Sequence, residues 1–232
     1  MTSGVPGPMP STVWIPEGWE PDTNLRIQAL GSLIQTDGPR VIPILREIAF
    51  RSPDANEASR AVFVLAQSGR ADARSTVLEV AKHGSELVQI AAVRELGRFG
   101  GEKAAEELLQ VYVTGNPRVK YQVVHSLGER AATTALMRIA QTEPDHRLQE
   151  TAIVRLGQAG AREQLARLYL RARADLKRPI IVGLFNARAE QELIRIAEHE
   201  RDTVLRGEVL TRLRLLGTEP ARAYLEKHRQ NR

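Results

Sequence analysis

The chain of 232 residues is long enough to bury a sizeable core, and its 33 Lys and Arg outnumber its 28 Asp and Glu for a net charge of +5. It has no cysteine, which excludes disulfides, cysteine-held metals and thiol catalysis. No run approaches the roughly 18 apolar residues of a membrane-spanning helix, and with aromatic residues at only 4% the interior must be filled by Ala, Val and Leu.

Residues 1–23 contain five prolines and predict an extended or disordered N-terminal extension. Trp14 and Trp19, the only tryptophans, are candidates to fold back and cap the open apolar end of the first helical repeat; docking on a partner is the other reading. No basic segment followed by an apolar core marks a signal peptide. The chain therefore reads as cytoplasmic, or as periplasmic if a leader was removed.

From residue 24 to 232 the sequence repeats. Leu33, Leu65, Leu96, Leu127, Leu156, Leu184 and Leu213 anchor seven similar segments, spaced by 32, 31, 31, 29, 28 and 29 residues. The first repeat runs from about Asn24 to Arg51, the second from Ala55 to His83 and the third from Ser85 to Gly115. The fourth covers Arg118 to Thr142, the fifth His146 to about Ala174, the sixth Asp175 to about Arg201 and the seventh Asp202 to Gln230. Pro43 and Pro179 are expected in first turns, where proline is tolerated. Asn24, Asp54, Asn116, Asp145, Asp175 and Asp202 are expected N-caps.

The columns give the physics. Four and three residues before the anchors stand pairs such as Ala61 and Val62, Ala92 and Val93, and Ala152 and Ile153, which share one helical face. Eight before stand Leu25, Val88, Val119, Leu148, Leu176 and Leu205, with Glu57 the exception. Four after come Gly69, Gly100, Gly160 and Gly217, expected as left-handed C-caps, with Asp37, Ala131 and Arg188 in the other repeats. Twelve after stand Leu45, Val77, Leu108, Ile139, Leu168, Ile196 and Leu225, which predict a second helix. One such hairpin cannot bury its apolar face alone, but a stack of them can.

The segments VQIAAVRELGRFGG, VKYQVVHSLGERAA and LQETAIVRLGQAGA resemble bacterial HEAT-like repeats, of the short kind also seen in phycobilisome-lyase-type repeat proteins. The resemblance covers about residues 24–230. It implies an all-α fold, a right-handed α-α superhelix of about seven two-helix repeats. It also implies a basic residue near the start of each first helix. Arg26, Lys120, Lys177 and Arg206 match this, whereas Ala58, Gln89 and Gln149 depart from it. The sixth repeat diverges most, with Phe185 in place of the small residue after the anchor.

Catalytic motifs are missing. None of the five histidines shows metal-ligand spacing, and there is no nucleotide-binding glycine loop or nucleophile elbow. The glycines between Gly97 and Gly101 are read as a turn. No enzyme activity, cofactor or metal is expected.

The feature that points outward is a stripe. Residues 1–150 carry 16 Lys and Arg against 18 Asp and Glu, and residues 151–232 carry 17 against 10. Eleven residues after their anchors, Arg138, Arg167 and Arg195 occupy one place on three consecutive second helices, and Tyr224 follows in the seventh repeat. Arg171 and His199 lie one turn further on. Stacked helices would set these side chains about 10 Å apart. Two readings stay open: a groove for phosphates or an acidic peptide, or an internal charge ladder through pairs such as Arg195 and Glu198.

The leading function is a non-enzymatic, monomeric protein-interaction scaffold that takes an acidic or extended protein partner on its concave second-helix face. A nucleic-acid-binding protein like the HEAT-like DNA glycosylases is the runner-up, disfavoured because both tryptophans lie in the N-terminal extension. A phycobilin lyase-type chaperone, supported by the repeats alone, is third.

Overall fold

The structure, a computed structural model, describes residues 25–230, so the candidate cap residues Trp14 and Trp19 and the expected N-cap Asn24 lie outside the described residues. Every regular element among them is an α-helix: α1 (Leu25–Leu33), α2 (Gly38–Arg51), α3 (Ala55–Gln67), α4 (Ala71–His83), α5 (Glu86–Arg98), α6 (Glu102–Thr114), α7 (Pro117–Glu129), α8 (Thr133–Thr142), α9 (His146–Gln158), α10 (Arg162–Arg171), α11 (Ala174–Asn186), α12 (Glu190–His199), α13 (Thr203–Leu216) and α14 (Glu219–Gln230). A short turn joins each odd-numbered helix to the next, giving the seven two-helix repeats expected. No described helix is long and apolar enough to cross a membrane. The chain divides into two compact units, Met1–Glu95 and Leu96–Arg232, with the boundary inside α5.

In the first unit α1 packs on α2 and α3, and α2 and α3 pack on α4. Its core includes Ile27, Ile34, Leu45, Val62, Leu65 and Val77. The first repeat corrects the expected register. Leu25 is 78% exposed and Leu33 51% exposed, while Ile34, the next residue, is buried and anchors this repeat. The buried residue of α1 is Ile27, and Ile34 in the turn just after the helix joins it in the core.

In the second unit α7, α9, α11 and α13 pack in sequence as one layer. In the other layer α6 packs on α8, α10 on α12 and α12 on α14. Between the layers Leu127, Leu156, Leu184 and Leu213 are buried with Val123, Ile153, Ile180 and Val209. The second helices shorten along the chain, from 13 residues in α6 to 10 in α8, α10 and α12. This missing turn is why the repeat period falls below 30 residues.

Helix ends follow the capping rules, with exceptions. The side chains of Asp54, Asn116, Asp145 and Asp202 accept from backbone N–H groups of the first turn. Asp175 does not cap: the N-cap of α11 is Arg173, two residues earlier, and Asp175 binds the Arg173 guanidinium at 3.0 Å. Pro43 and Pro179 each stand at the sixth position of their helices, beyond the first turn, so each removes one interior hydrogen bond.

Five hairpins carry a residue of positive φ just past the first helix, at Gly69, Ala131, Gly160, Arg188 and Gly217. In the third repeat the expected Gly100 is not left-handed; Gly101, with φ 84° and ψ 172°, is instead the N-cap of α6, and Asp37 of the first repeat has φ −133° and is not left-handed either. In three hairpins of the second unit the anchor carbonyl closes the turn, with Leu127, Leu156 and Leu184 accepting from Ala132, Ala161 and Ala189. Ala131 and Arg188 hold φ of 51° and 52°, a region that costs a residue with a Cβ roughly 1–2 kcal/mol. Arg188→Gly is therefore expected to stabilise the protein by about 1 kcal/mol, read as a higher denaturant midpoint with an unchanged slope.

The divergent sixth repeat is repacked locally. Phe185 lies half-buried with the Arg212 guanidinium 5.3 Å from its ring centroid.

Candidate functional site

The second helices of the second unit follow one rule. Each buries two apolar rows, such as Leu136 and Ile139 in α8, Leu165 and Leu168 in α10, and Leu193 and Ile196 in α12. The opposite face of each is a ridge spaced i, i+4, i+7, i+8. It reads Thr134, Arg138, Gln141, Thr142 in α8; Glu163, Arg167, Leu170, Arg171 in α10; and Gln191, Arg195, Glu198, His199 in α12, all exposed. Helical periodicity thus places Arg138, Arg167 and Arg195 at one register and Arg171 and His199 one turn on. Tyr224 in α14 is half-buried and stacks on His228, with ring centroids 6.1 Å apart. Burial pushes the Tyr224 phenol up, and the Glu198 carboxylate adds to it.

The charge ladder lies elsewhere. Among the described residues, no carboxylate is within ion-pair distance of Arg138, Arg171 or Arg195, so the Arg195–Glu198 pair is not formed. Arg167 pairs with Glu163 at 3.0 Å, but both side chains are about three-quarters exposed and the pair is worth little. His199 Nδ1 is 2.8 Å from the Arg195 carbonyl. An interhelix ion pair instead joins α11 to α13, where Arg178 reaches Glu208 at 2.6 Å; Arg212, one turn along α13, shares that carboxylate at 3.4 Å. In the first unit Arg46 of α2 meets Glu79 of α4 at 2.5 Å.

The second layer is not evenly closed. An open cleft of 920 Å³ lies between α8 and α10. Met137, Gln141, Gln164, Arg167, Leu170 and Arg171 line it, over a floor that includes Leu168 and Leu176. Leu170 is 83% exposed beside the buried Leu168. Three of the stripe residues thus meet at this cleft or its rim, Arg138 standing beside it on α8, while Arg195, His199 and Tyr224 continue along α12 and α14.

Two buried clusters escape the column pattern. The Tyr112 hydroxyl donates to Glu143 at 2.5 Å, Lys120 Nζ lies 3.4 Å from the same carboxylate, and the Asp145 amide donates to its other oxygen at 3.1 Å. The arrangement recurs with Tyr169, Lys177, Glu200 and Asp202, at 2.5, 2.7 and 3.0 Å. In both, the lysine stands 5.0 Å from the tyrosine ring centroid. All four members shift by 57 residues, or two repeats, and that spacing is the signal in the sequence. Each cluster ties three successive hairpin pieces together: a second helix, the next first helix, and the turn after the following second helix. Burial alone would push the Glu200 carboxyl up. The hydrogen bonds from Lys177, Tyr169 and the Asp202 amide outweigh it and hold the group at about 2. The balance is the same in sign for Glu143, which is held below the usual carboxylate range. Burial and the adjoining carboxylate push both phenols above their ordinary value.

These clusters account for two of the four basic residues near the helix starts. Lys120 and Lys177 serve inside the stack, and where glutamine replaces them the amide caps the preceding helix: Gln89 donates to the Lys82 carbonyl and Gln149 to that of Ala140. Among the described residues no group of three or more His, Asp or Glu could hold a metal.

The comparisons with known proteins bear on the repeats. The family described as HEAT repeats matches residues 42–128. Among solved structures, the complex of CpcE and CpcF of phycocyanin lyase from Nostoc sp. PCC7120 is similar at 17% identity, with 97% of this chain and 99% of that chain covered and a TM-score of 0.38. No curated protein matches the chain. The matched segment runs from within α2 to α7, and the same hairpin with the same buried columns continues through α14. Residues 42–128 thus match HEAT repeats, and the described chain is an all-α series of two-helix repeats.

Proposed function

We propose that this chain is a non-enzymatic protein-interaction scaffold whose exposed second-helix ridge in residues 133–230 receives an acidic partner. The observation that carries this is the unneutralised state of Arg138, Arg171 and Arg195 on successive second helices: exposed and without ion pairs among the described residues, with Arg138 and Arg195 at one register and Arg171 one turn on. An internal ladder would have paired them, and the pairs that exist use other residues. The excess of 17 Lys and Arg over 10 Asp and Glu in residues 151–232 adds a field of the same sign. The repeated hairpins serve as the rigid frame that holds the ridge.

The test is binding of labelled poly-glutamate, and separately of duplex and single-stranded DNA, to the wild type and to Arg138→Glu/Arg167→Glu/Arg195→Glu. Poly-glutamate is expected to bind the wild type and to lose at least tenfold in affinity on reversal at low salt. The difference should shrink as salt approaches about 1 M, where charges are screened within roughly 3 Å. Equal binding by both proteins would remove the ridge from the function. Tight, salt-sensitive DNA binding lost on reversal, without poly-glutamate binding, would replace the protein-scaffold reading with a nucleic-acid one.

A further inference from the structure

The cleft between α8 and α10 combines three chemistries that one kind of ligand would use together. The first is apolar. Leu170 is 83% exposed in a helix that buries Leu165 and Leu168, and Met137 faces the same space from α8. A leucine left in water at the rim of a cleft gains favourable burial when a partner covers it. The second is amide. Gln141 from α8 and Gln164 from α10 both line the cleft. Each side chain carries a donor and an acceptor, as a peptide group does, and suits an extended main chain. The third is charge. Among the described residues Arg171 has no ion-pair partner and Arg167 pairs only with an exposed Glu163, while Arg138 lies at the rim.

Among the described residues the one carboxylate in the lining is Glu143, and it is consumed by Tyr112, Lys120 and the Asp145 amide, so it does not repel an incoming anion as a free group would. No aromatic ring of the described residues lines the cleft, which removes the stacking platform that single-stranded nucleic acid uses.

We infer that this cleft is the seat for an extended acidic segment of a partner protein, laying one apolar side chain on Leu170 and Met137 while flanking carboxylates meet Arg138, Arg167 and Arg171. This rests on the scaffold reading above and narrows it to one site and one ligand class.

Fluorescence anisotropy on the full chain tests it. The probe is a labelled peptide of glutamates with one central leucine, compared with the same peptide carrying serine in place of leucine. The leucine peptide is expected to bind at least tenfold more tightly than the serine peptide. Leu170→Ser should abolish that preference while Val113→Ser, at an equally exposed position on α6, leaves it intact. Both substitutions lie on the surface and leave the core untouched.

Equal affinity for the two peptides, or a preference that survives Leu170→Ser, overturns the cleft assignment. If binding still falls on reversal of the arginines, the wider ridge stands without it. A preference lost equally in Val113→Ser marks general apolar adhesion and also overturns the assignment. Failure of the leucine peptide to bind overturns it as well, and a single-stranded oligonucleotide bound in its place would overturn the scaffold reading with it.

Discussion

Gly157→Ala is expected to destabilise the protein by about 2–3 kcal/mol, whereas Gly207→Ala stabilises it by about 0.5–1 kcal/mol. A Cβ added at Gly157 would lie 2.4 Å from the Gly183 carbonyl oxygen and 2.8 Å from its Cα. The obstacle is the backbone of α11, which cannot turn aside as a side chain can. Relief requires moving α9 away from α11, and that opens the packing of Ile153 and Leu156 against Ile180 and Leu184, all fully buried. The gain in helix propensity, up to about 1 kcal/mol, offsets only part of this. At Gly207 in α13 an added Cβ meets nothing within 4 Å, so propensity alone acts. Where a glycine follows the anchor it is a point of close approach, with graded tolerance. At Gly97 the neighbour is the Ser126 side chain at 2.8 Å, and at Gly128 it is the flexible Arg155 side chain at 2.6 Å. Losses should therefore rank Gly157 above Gly97 above Gly128. Urea denaturation of the alanine variants checks both the order and the opposite sign at Gly207, and a neutral Gly157→Ala would contradict the close packing of α9 and α11.

Periodicity makes the anchors legible and leaves distances between helices hidden. Leu65, Leu96, Leu127, Leu156, Leu184 and Leu213 are all fully buried, because a period near 30 residues can persist only if the same face meets the same neighbour each time. At α1 the spacing misleads: Leu25, Leu30 and Leu33 compete with Ile27 and Ile34, and spacing alone does not choose between adjacent stripes. The exposure of the arginine stripe is readable, since it flanks a buried row at fixed helical spacing. The cleft is not, because it depends on how far α8 stands from α10. The tyrosine clusters are hidden by the change in helix length. Counted from their anchors Tyr112 falls at position 16 and Tyr169 at 13, although both stand two residues before the end of their helices. Columns aligned at the first helix lose register in the second once a turn is deleted.

The second large effect belongs to those clusters. Glu200→Gln is expected to lower stability at pH 7 by about 2–3 kcal/mol and to flatten the acid limb of the stability profile. The carboxylate accepts from the Tyr169 hydroxyl, Lys177 and the Asp202 amide, and its side chain is only 8% exposed. Breaking a buried pair costs roughly 3–5 kcal/mol, reduced here because Lys177 remains 27% exposed and can reach water. The sign follows from the depressed carboxyl. A group ordinarily near 4.5 and held at about 2 in the folded chain binds protons more readily when unfolded. Its contribution is complete above about 4.5 and is lost as pH falls to about 2, roughly 3 kcal/mol in all. The wild type should therefore lose stability steeply across that window, with the Gln variant starting lower, falling less, and approaching the wild type near pH 2. Tyr169→Phe removes one donor and should cost about 1 kcal/mol. Combined with Glu200→Gln it should cost less than the sum, because the two side chains share the bond. Parallel acid limbs for wild type and Glu200→Gln would mean that the carboxylate does not hold the hairpins together. Strict additivity with Tyr169→Phe would mean that the hydroxyl is not its partner.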